Sequence, residues 1–539
     1  MLNPSSKTAL SVGLVMSLLF PIAANAKKPI SCERLAFEYG AKDLVLSSSI
    51  RVPATSTDPE YCDVVGAIRG NINFELFLPT EWNGRFQMVG NGGKAGTIST
   101  GDMRTAMRLG YAASSTDTGH NLANSGPGSQ FGTDPEKEID FGWRAVHLTA
   151  QTSKDIVKSY YGNKPHHSYW VGCSTGGRQG LMEAQRFPKD FDGYVTGSPV
   201  NNYTGQQLAA PAYLPPLYSA IPGTPLISRA LINQVGNVVY NGNGLSGPNA
   251  FAGCDALDGV VDHQLRDPRQ CTFNPQVHIP TCPDTTPSGL CLTAAQKDAL
   301  SMIYAGRPPF VPPQILGAED VPGGWTVWLI GSDAGSAPVL HGVVADAFEW
   351  LMFNPDRPGF NYVTDFDWNT DPFQMGQAEQ IFNATDPDLR DVKARGGKII
   401  MYHGWADPGV NPLRTVAYYE RVTAFMGRHF GPHWFADKNT ERFFKLYMVP
   451  GMAHCGGGTG HSSVDWLTPL VNWVEHGVAP DAIVGARASD GSTRPHCPYP
   501  EVAVYKGSGS TGAAENFECR KPSKPGRHGH GHRDHDRDD

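Results

Sequence analysis

Apolar and polar positions along the chain change period from segment to segment. Residues 74–78 alternate apolar and polar, and 85–89 and 111–115 read the same way, as strands. Residues 141–160 instead place Phe141, Ala145, Leu148, Ile156 and Tyr160 at helical spacing. A short buried-type strand at 169–171 stops at Gly172, 181–187 reads as a helix ended by Pro188, and 193–197 is the next strand. Strands alternating with helices predict an α/β fold with a largely parallel sheet covered on both faces.

The alternation breaks near Pro199. From there to about Asn369 the chain is rich in Pro, Gly and Asn and holds Tyr203, Trp325, Trp328, Phe348, Trp350 and Phe353. This stretch predicts an inserted lid or second domain over 201–374, whose aromatics either form its own core or face a ligand. The α/β pattern resumes at 398–402 and 444–449, giving core segments 27–200 and 375–520. At the N-terminus, Lys7, the apolar run 9–20 and Ala24-Asn25-Ala26 predict a signal peptide over 1–26. The alternative is an uncleaved anchor, though the run is short for a membrane span. The tail 521–539 is expected to be disordered. Its His528, His530, His532 and His535 could bind Zn²⁺, Ni²⁺ or Cu²⁺, but they have no place in the mechanism.

Composition narrows the class. The 539 residues are 40% hydrophobic, enough for a large core, and a net charge of −8 with scattered basic residues gives nucleic-acid binding no support. Ten cysteines in an exported chain imply disulfides and a secreted or periplasmic location. Proximity suggests four local pairs, Cys32–Cys62, Cys254–Cys271, Cys282–Cys291 and Cys497–Cys519, which leaves Cys173 and Cys455 for each other. No C-x-x-C spacing occurs, which argues against zinc or iron–sulfur clusters.

That last pair flanks chemistry. Gly172-Cys173-Ser174-Thr175-Gly176 fits the G-x-S-x-G nucleophile elbow, set between a predicted strand and a predicted helix. An acid and a histidine should follow in that order, each past a strand end. Asp407 follows the strand 399–402, where it could orient a histidine or merely form an Asx-turn before Pro408. His454 follows 446–449; alone it would read as a surface histidine, but the neighbouring Cys455 ties it to Ser174. Serine needs such a base, and the tetrahedral oxyanion needs donors worth roughly 3–4 kcal/mol each. The Thr175 N–H is one expected donor, and Gly92 and Gly93, in the turn Val89-Gly90-Asn91-Gly92-Gly93, offer the other. The same turn lacks the phosphate-loop pattern.

With these motifs the chain resembles the tannase/feruloyl esterase family, which includes esterases that degrade mono(2-hydroxyethyl) terephthalate (MHET). The likeness rests on residues 172–180, His403-Gly404-Trp405-Ala406-Asp407, Gly451-Met452-Ala453-His454-Cys455 and the Gly90–Gly93 turn, and covers nearly all the mature chain to about Cys519. It implies an α/β-hydrolase core with a large inserted lid, a Ser174–Asp407–His454 triad and a Cys173–Cys455 bridge. By residue type alone, Asp255, Asp258 and Asp262, with carbonyls of Val260 and Gln264, form either an acidic turn or an oxygen cage for Ca²⁺. The resemblance implies a structural calcium in the lid there.

The expected activity is hydrolysis of aromatic-acid esters through an acyl-enzyme, with feruloyl esters first and galloyl esters or MHET as alternatives. The partner is then a small aromatic ester or a plant-polymer ester, with no nucleic acid and no membrane. For MHET, Arg307 or Arg357 could hold the terephthalate carboxylate. A secreted binding protein without catalysis and a peptidase on the same fold are the readings from other classes.

Overall fold

The computed structural model describes residues 29–522 apart from 127, 332–334 and 431–435. The expected signal peptide and the tail histidines lie outside the described residues. Nine strands form one mixed sheet: β1 (Leu44–Val52), β2 (Tyr61–Ile68), β3 (Ile72–Pro79), β4 (Arg85–Val89), β5 (Ala112–Thr116), β6 (His167–Cys173), β7 (Gly193–Gly197), β8 (Lys398–Gly404) and β9 (Phe444–Val449). Their order is β1-β2-β3-β5-β4-β6-β7-β8-β9. Strands β5, β4, β6, β7, β8 and β9 run parallel, while β1, β2, β3 and β5 pair antiparallel. The antiparallel third departs from the largely parallel expectation. In edge strand β1, Ser47, Ser48 and Ser49 interrupt the apolar alternation, so its period-two signal is weak.

Side-chain alternation divides the parallel strands between two cores. Phe86 and Met88 of β4 join Trp170, Tyr194, Ile399 and Met401 on one face. Val89 joins Tyr169, Val195, Ile400 and Tyr402 on the other. The predicted helix at 141–160 is a helix over Ala145–Tyr161, entered through a π-turn at Asp140–Arg144 and closed by Gly162 in the left-handed region. Helix Thr175–Arg186 starts six residues before the expected 181, because Gly176, Gly177 and Gly180 conceal it: glycine is a poor helix former. Its glycines serve packing. A Cβ on Gly177 would lie 2.4 Å from the Gly197 carbonyl oxygen.

Residues 198–397, between β7 and β8, contain helices such as Arg229–Asn241 and Ala294–Ala305 and no named strand among the described residues. Their own apolar cluster includes Tyr213, Ile232, Val239, Leu300, Trp325 and Phe348. Two small sheets follow β9, a three-stranded one over Ser463–Val464, Ile483–Ala486 and Thr493–His496 and a hairpin over Val502–Tyr505 and Phe517–Arg520. No helix of the described residues is long and apolar enough to cross a membrane.

Candidate active site

The C-terminal ends of β6, β8 and β9 bring the sequence motifs together. Ser174 sits between β6 and helix Thr175–Arg186 with φ +62 and ψ −121, a conformation that L residues rarely adopt. Strain of this kind persists only where the surroundings enforce it. Here the Ser174 N–H donates to Gly197 O at 3.0 Å, and its carbonyl accepts from Arg178 N and Val200 N. The turn closes only because Gly172 lacks a side chain: a Cβ there would meet the Gly176 backbone at 2.7 Å.

The Cys173–Cys455 disulfide, with Cα atoms 5.9 Å apart across 282 residues of sequence, fastens the loop after β9 to this elbow. The other four bridges join Cys32–Cys62, Cys254–Cys271, Cys282–Cys291 and Cys497–Cys519, the pairs proximity suggests. His454 Nδ1 lies 2.7 Å from Asp407 Oδ2. An ionised carboxylate only accepts, so Nδ1 carries the hydrogen and Nε2 of the neutral ring is left as a base. Asp407 is fully buried, and its Oδ1 accepts from Gly409 and Val410 N–H at 3.0 and 2.9 Å. Burial would raise its pKa, but the charge of His454 and hydrogen bonds from His403 and His454 hold it well below the usual carboxylate range.

His403 is a site residue that motif reasoning passed over. It is fully buried, with Nε2 at 3.1 Å from Asp407 Oδ2 and 2.9 Å from Val410 O, and Nδ1 at 2.8 Å from Thr415 Oγ1. Two acceptors at Nε2 place the hydrogen there, so Thr415 donates to Nδ1 and the ring braces the acid. A second omission is the amide pair Asn91–Gln179. Gln179 Oε1 accepts from Asn91 N at 3.0 Å and its Nε2 donates to Asn91 Oδ1 at 3.0 Å. Asn91 also donates to the carbonyls of Thr97 and Thr116, both at 2.8 Å. These bonds lock the Gly90–Gly93 turn onto the helix that follows Ser174, and the Thr175 hydroxyl donates to Gly93 O. The only sequence signal for either was membership of the quoted motifs.

Ser174, His454, Thr175, Gly92 and Gly93 all line one cavity of about 700 Å³. Residues 198–397 supply part of its wall through Val200, Tyr203, Gln206, Gln207, Trp328, Val343 and Val344, and Trp328 meets the His454 ring edge-on at 5.0 Å. Of the six aromatics singled out in this segment, only Tyr203 and Trp328 line the cavity. Arg307 and Arg357 do not: Arg307 lies over Trp368, and Arg357 pairs with Asp371 at 2.9 Å and covers Phe353. Among the described residues, the one cation on the cavity wall is Lys94, already ion-paired with Asp346.

Two carboxylate groups lie away from the cavity. In the turn after Cys254, Asp255 accepts backbone N–H groups of Asp262, His263 and Gln264, Asp258 accepts from Val260 N, and Asp262 pairs with Arg494 at 3.0 Å. Asp262 Oδ1 is buried with no partner, and burial raises Asp258 to about 6. Among the described residues, ligand atoms of His, Cys, Asp or Glu converge within 4.8 Å in threes only at His147, Glu183 and Asp190, which have metal-binding spacing. His147 Nδ1 lies 2.6 Å from Asp190 Oδ2. Burial and the neighbouring Asp190 push Glu183 well above the usual range.

Comparison with known proteins places this arrangement. The model of the family "Tannase and feruloyl esterase" matches residues 56–520. The chain is 32% identical to mono(2-hydroxyethyl) terephthalate hydrolase of Piscinibacter sakaiensis, over 93% of each chain. It is 30% identical to a probable feruloyl esterase B of Aspergillus clavatus, over 86% of this chain and 87% of that one. The crystal structure of feruloyl esterase B from Aspergillus oryzae matches 91% of this chain and 99% of its own, with a TM-score of 0.77 at 26% identity. With the mixed sheet, the strained serine turn and the buried Asp–His pair, these similarities establish that the chain is a carboxylic ester hydrolase with the α/β-hydrolase fold and belongs to the tannase and feruloyl esterase family.

Proposed function

We propose that the protein is an exported feruloyl esterase that works through an acyl-enzyme on Ser174. His454 Nε2 takes the serine proton as Oγ attacks the ester carbonyl, and Asp407 stabilises the imidazolium. The Thr175 N–H and an N–H of Gly92 or Gly93 receive the oxyanion. His454 then protonates the departing alcohol, and water repeats the sequence to release the acid. The observation that carries the substrate class is the cavity wall beside Ser174. Val200, Tyr203, Trp328, Val343 and Val344, with the neutral Gln206 and Gln207 beside them, suit an aromatic ring, while the sole lining cation among the described residues is tied to Asp346. A neutral phenolic acid fits that wall better than one bearing a second carboxylate.

MHET is the second reading, favoured by the 32% identical relative with that activity. Turnover of methyl ferulate, methyl gallate and MHET, measured side by side, separates these readings. Ferulate should be fastest; a dominant gallate or MHET rate overturns the assignment.

Residues 201–374 serve in this reading as a lid. A structural Ca²⁺ fits the turn Cys254–Gln264, because the turn crowds three carboxylates and the buried Oδ1 of Asp262 has no protein partner. Asp255, Asp258 and Asp262, with the carbonyls of Val260 and Gln264, would hold the ion, which would neutralise the turn and brace the lid.

A further inference from the structure

We propose that His147, Glu183 and Asp190 form a binding site for a zinc-like transition-metal dication, apart from the cavity at Ser174. The three come from separate parts of the fold. His147 lies in the first turn of helix Ala145–Tyr161, Glu183 in the last turn of helix Thr175–Arg186, and Asp190 in the connection from that helix to β7. None of them lines the cavity that holds Ser174 and His454. One ligand atom from each lies within 4.8 Å of the other two. Zinc takes nitrogen and oxygen ligands at about 2.0–2.2 Å, so small side-chain rotations close the three around one ion.

Glu183 is the residue that calls for the ion. It is fully buried, and neither of its carboxylate oxygens has a hydrogen-bond partner among the described residues. Buried polar groups are as a rule paired, so two orphaned oxygens on one side chain need a counterpart. Neighbouring groups are turned to Asp190 instead. His147 Nδ1 faces Asp190 Oδ2 at 2.6 Å, while Lys154 Nζ donates to the Asp190 carbonyl at 2.6 Å and stands 3.5 Å from its Oδ1. A dication would meet both carboxylates at once and balance their charge. The donor set selects its class: imidazole with carboxylates suits zinc and its neighbours, whereas Mg²⁺ and Ca²⁺ prefer oxygen alone. With Nδ1 as the ligand, Nε2 would carry the ring hydrogen, and Phe187, stacked on the His147 ring at 3.7 Å, fixes its plane. His147 is only part-buried and Asp190 lines a surface cavity of about 350 Å³, which gives the ion a route from solvent. Once bound, it would tie the helix that follows Ser174 to helix Ala145–Tyr161. The competing counterpart is a proton shared between Glu183 and Asp190.

The test titrates ZnCl₂ into the purified full chain and into Glu183→Gln, each chelated and then supplied with excess CaCl₂, by calorimetry and thermal melting. The amide of the variant can donate to Asp190, so it keeps the fold without the ion. The wild type should bind one more Zn²⁺ than the variant and gain a few degrees in melting temperature that the variant does not. The tail histidines and His454 are the same in both proteins, so zinc held there cancels. His147→Asn, which retains a donor towards Asp190, should match Glu183→Gln and replaces it if that variant does not fold. Equal zinc uptake and an equal melting response in the wild type and the variants overturn the site. So does a wild type that gains nothing from zinc while Glu183→Gln melts higher without it, which makes the counterpart a shared proton. An equal gain with MgCl₂ in place of ZnCl₂ overturns the zinc-like class.

Discussion

The strand ends that carry Ser174, Asp407 and His454 and the segment between β7 and β8 form opposite walls of one cavity, yet they are held in different ways. The first wall is fixed by backbone. Ser174 is bonded through Gly197, Arg178 and Val200, Asp407 through Gly409 and Val410, and the Gly90–Gly93 turn through Asn91 and Gln179. The second wall has no named strand among its described residues. It relies on an apolar cluster of its own, two short-range disulfides and a turn crowded with carboxylates. Reaction geometry tolerates errors of only a few tenths of an ångström, whereas a ring-binding surface needs shape and apolarity. In the proposed mechanism a rigid sheet carries the chemistry, and a loop-rich segment, tolerant of sequence change, is free to set which acid fits.

Substitutions can break this division. Ser174→Ala should lower turnover of methyl ferulate by about 10⁴-fold or more, and Asp407→Asn by about 10⁴-fold, with the melting temperature nearly unchanged for the serine variant. Substantial residual activity in folded Ser174→Ala removes the nucleophile from the first wall. The double variant Cys173→Ala with Cys455→Ala should lose about 5–6 kcal/mol of stability in the chain-entropy model and also lose turnover below its melting point. Full activity in that folded variant would limit the bridge to stability.

Smaller effects sharpen the contrast. Gln179→Ala should cut kcat by about tenfold or more with little change in KM, because the amide pair positions an oxyanion donor without touching substrate. Trp328→Ala should do the reverse, raising KM for feruloyl esters more than for acetyl esters of the same alcohol. Calcium removal should act only on the second wall, lowering the melting temperature by a few degrees by calorimetry. That drop should shrink as pH falls through about 6, where Asp258 protonates. The sign follows from its raised pKa. Without metal, the ionised Asp258 destabilises the fold above that pH, and protonation relieves it, so the chelated protein gains from acid what the calcium form does not. A chelator effect that is absent, or that grows towards pH 5, contradicts the calcium assignment.

Legibility in the sequence followed the same division. Strands β4, β7 and β9 were readable to the residue, since short apolar runs bounded by turns have few alternatives. The elbow was readable because its glycines are demanded by backbone contact, and Gly172 against Gly176 is that demand in the fold. Edge strand β1 was not readable, because an exposed strand has no buried alternation to display. Nor were the functions of His403 and Gln179, whose partners at Asp407 and Asn91 become neighbours only when β8 and the helix after Ser174 pack.

By itself, then, the sequence determined the alternating α/β core, the serine turn and the cysteine arithmetic that joins Ser174 to His454, because each is written in local spacing or residue counts. Only the tertiary structure decided that Arg307 and Arg357 stand away from the cavity, that Lys94 is occupied by Asp346, and that Gln87 is buried with an unpaired oxygen on the cavity wall. Those facts concern which side chains share a space. Residues far apart in the chain meet there through packing, and no local pattern encodes the meeting.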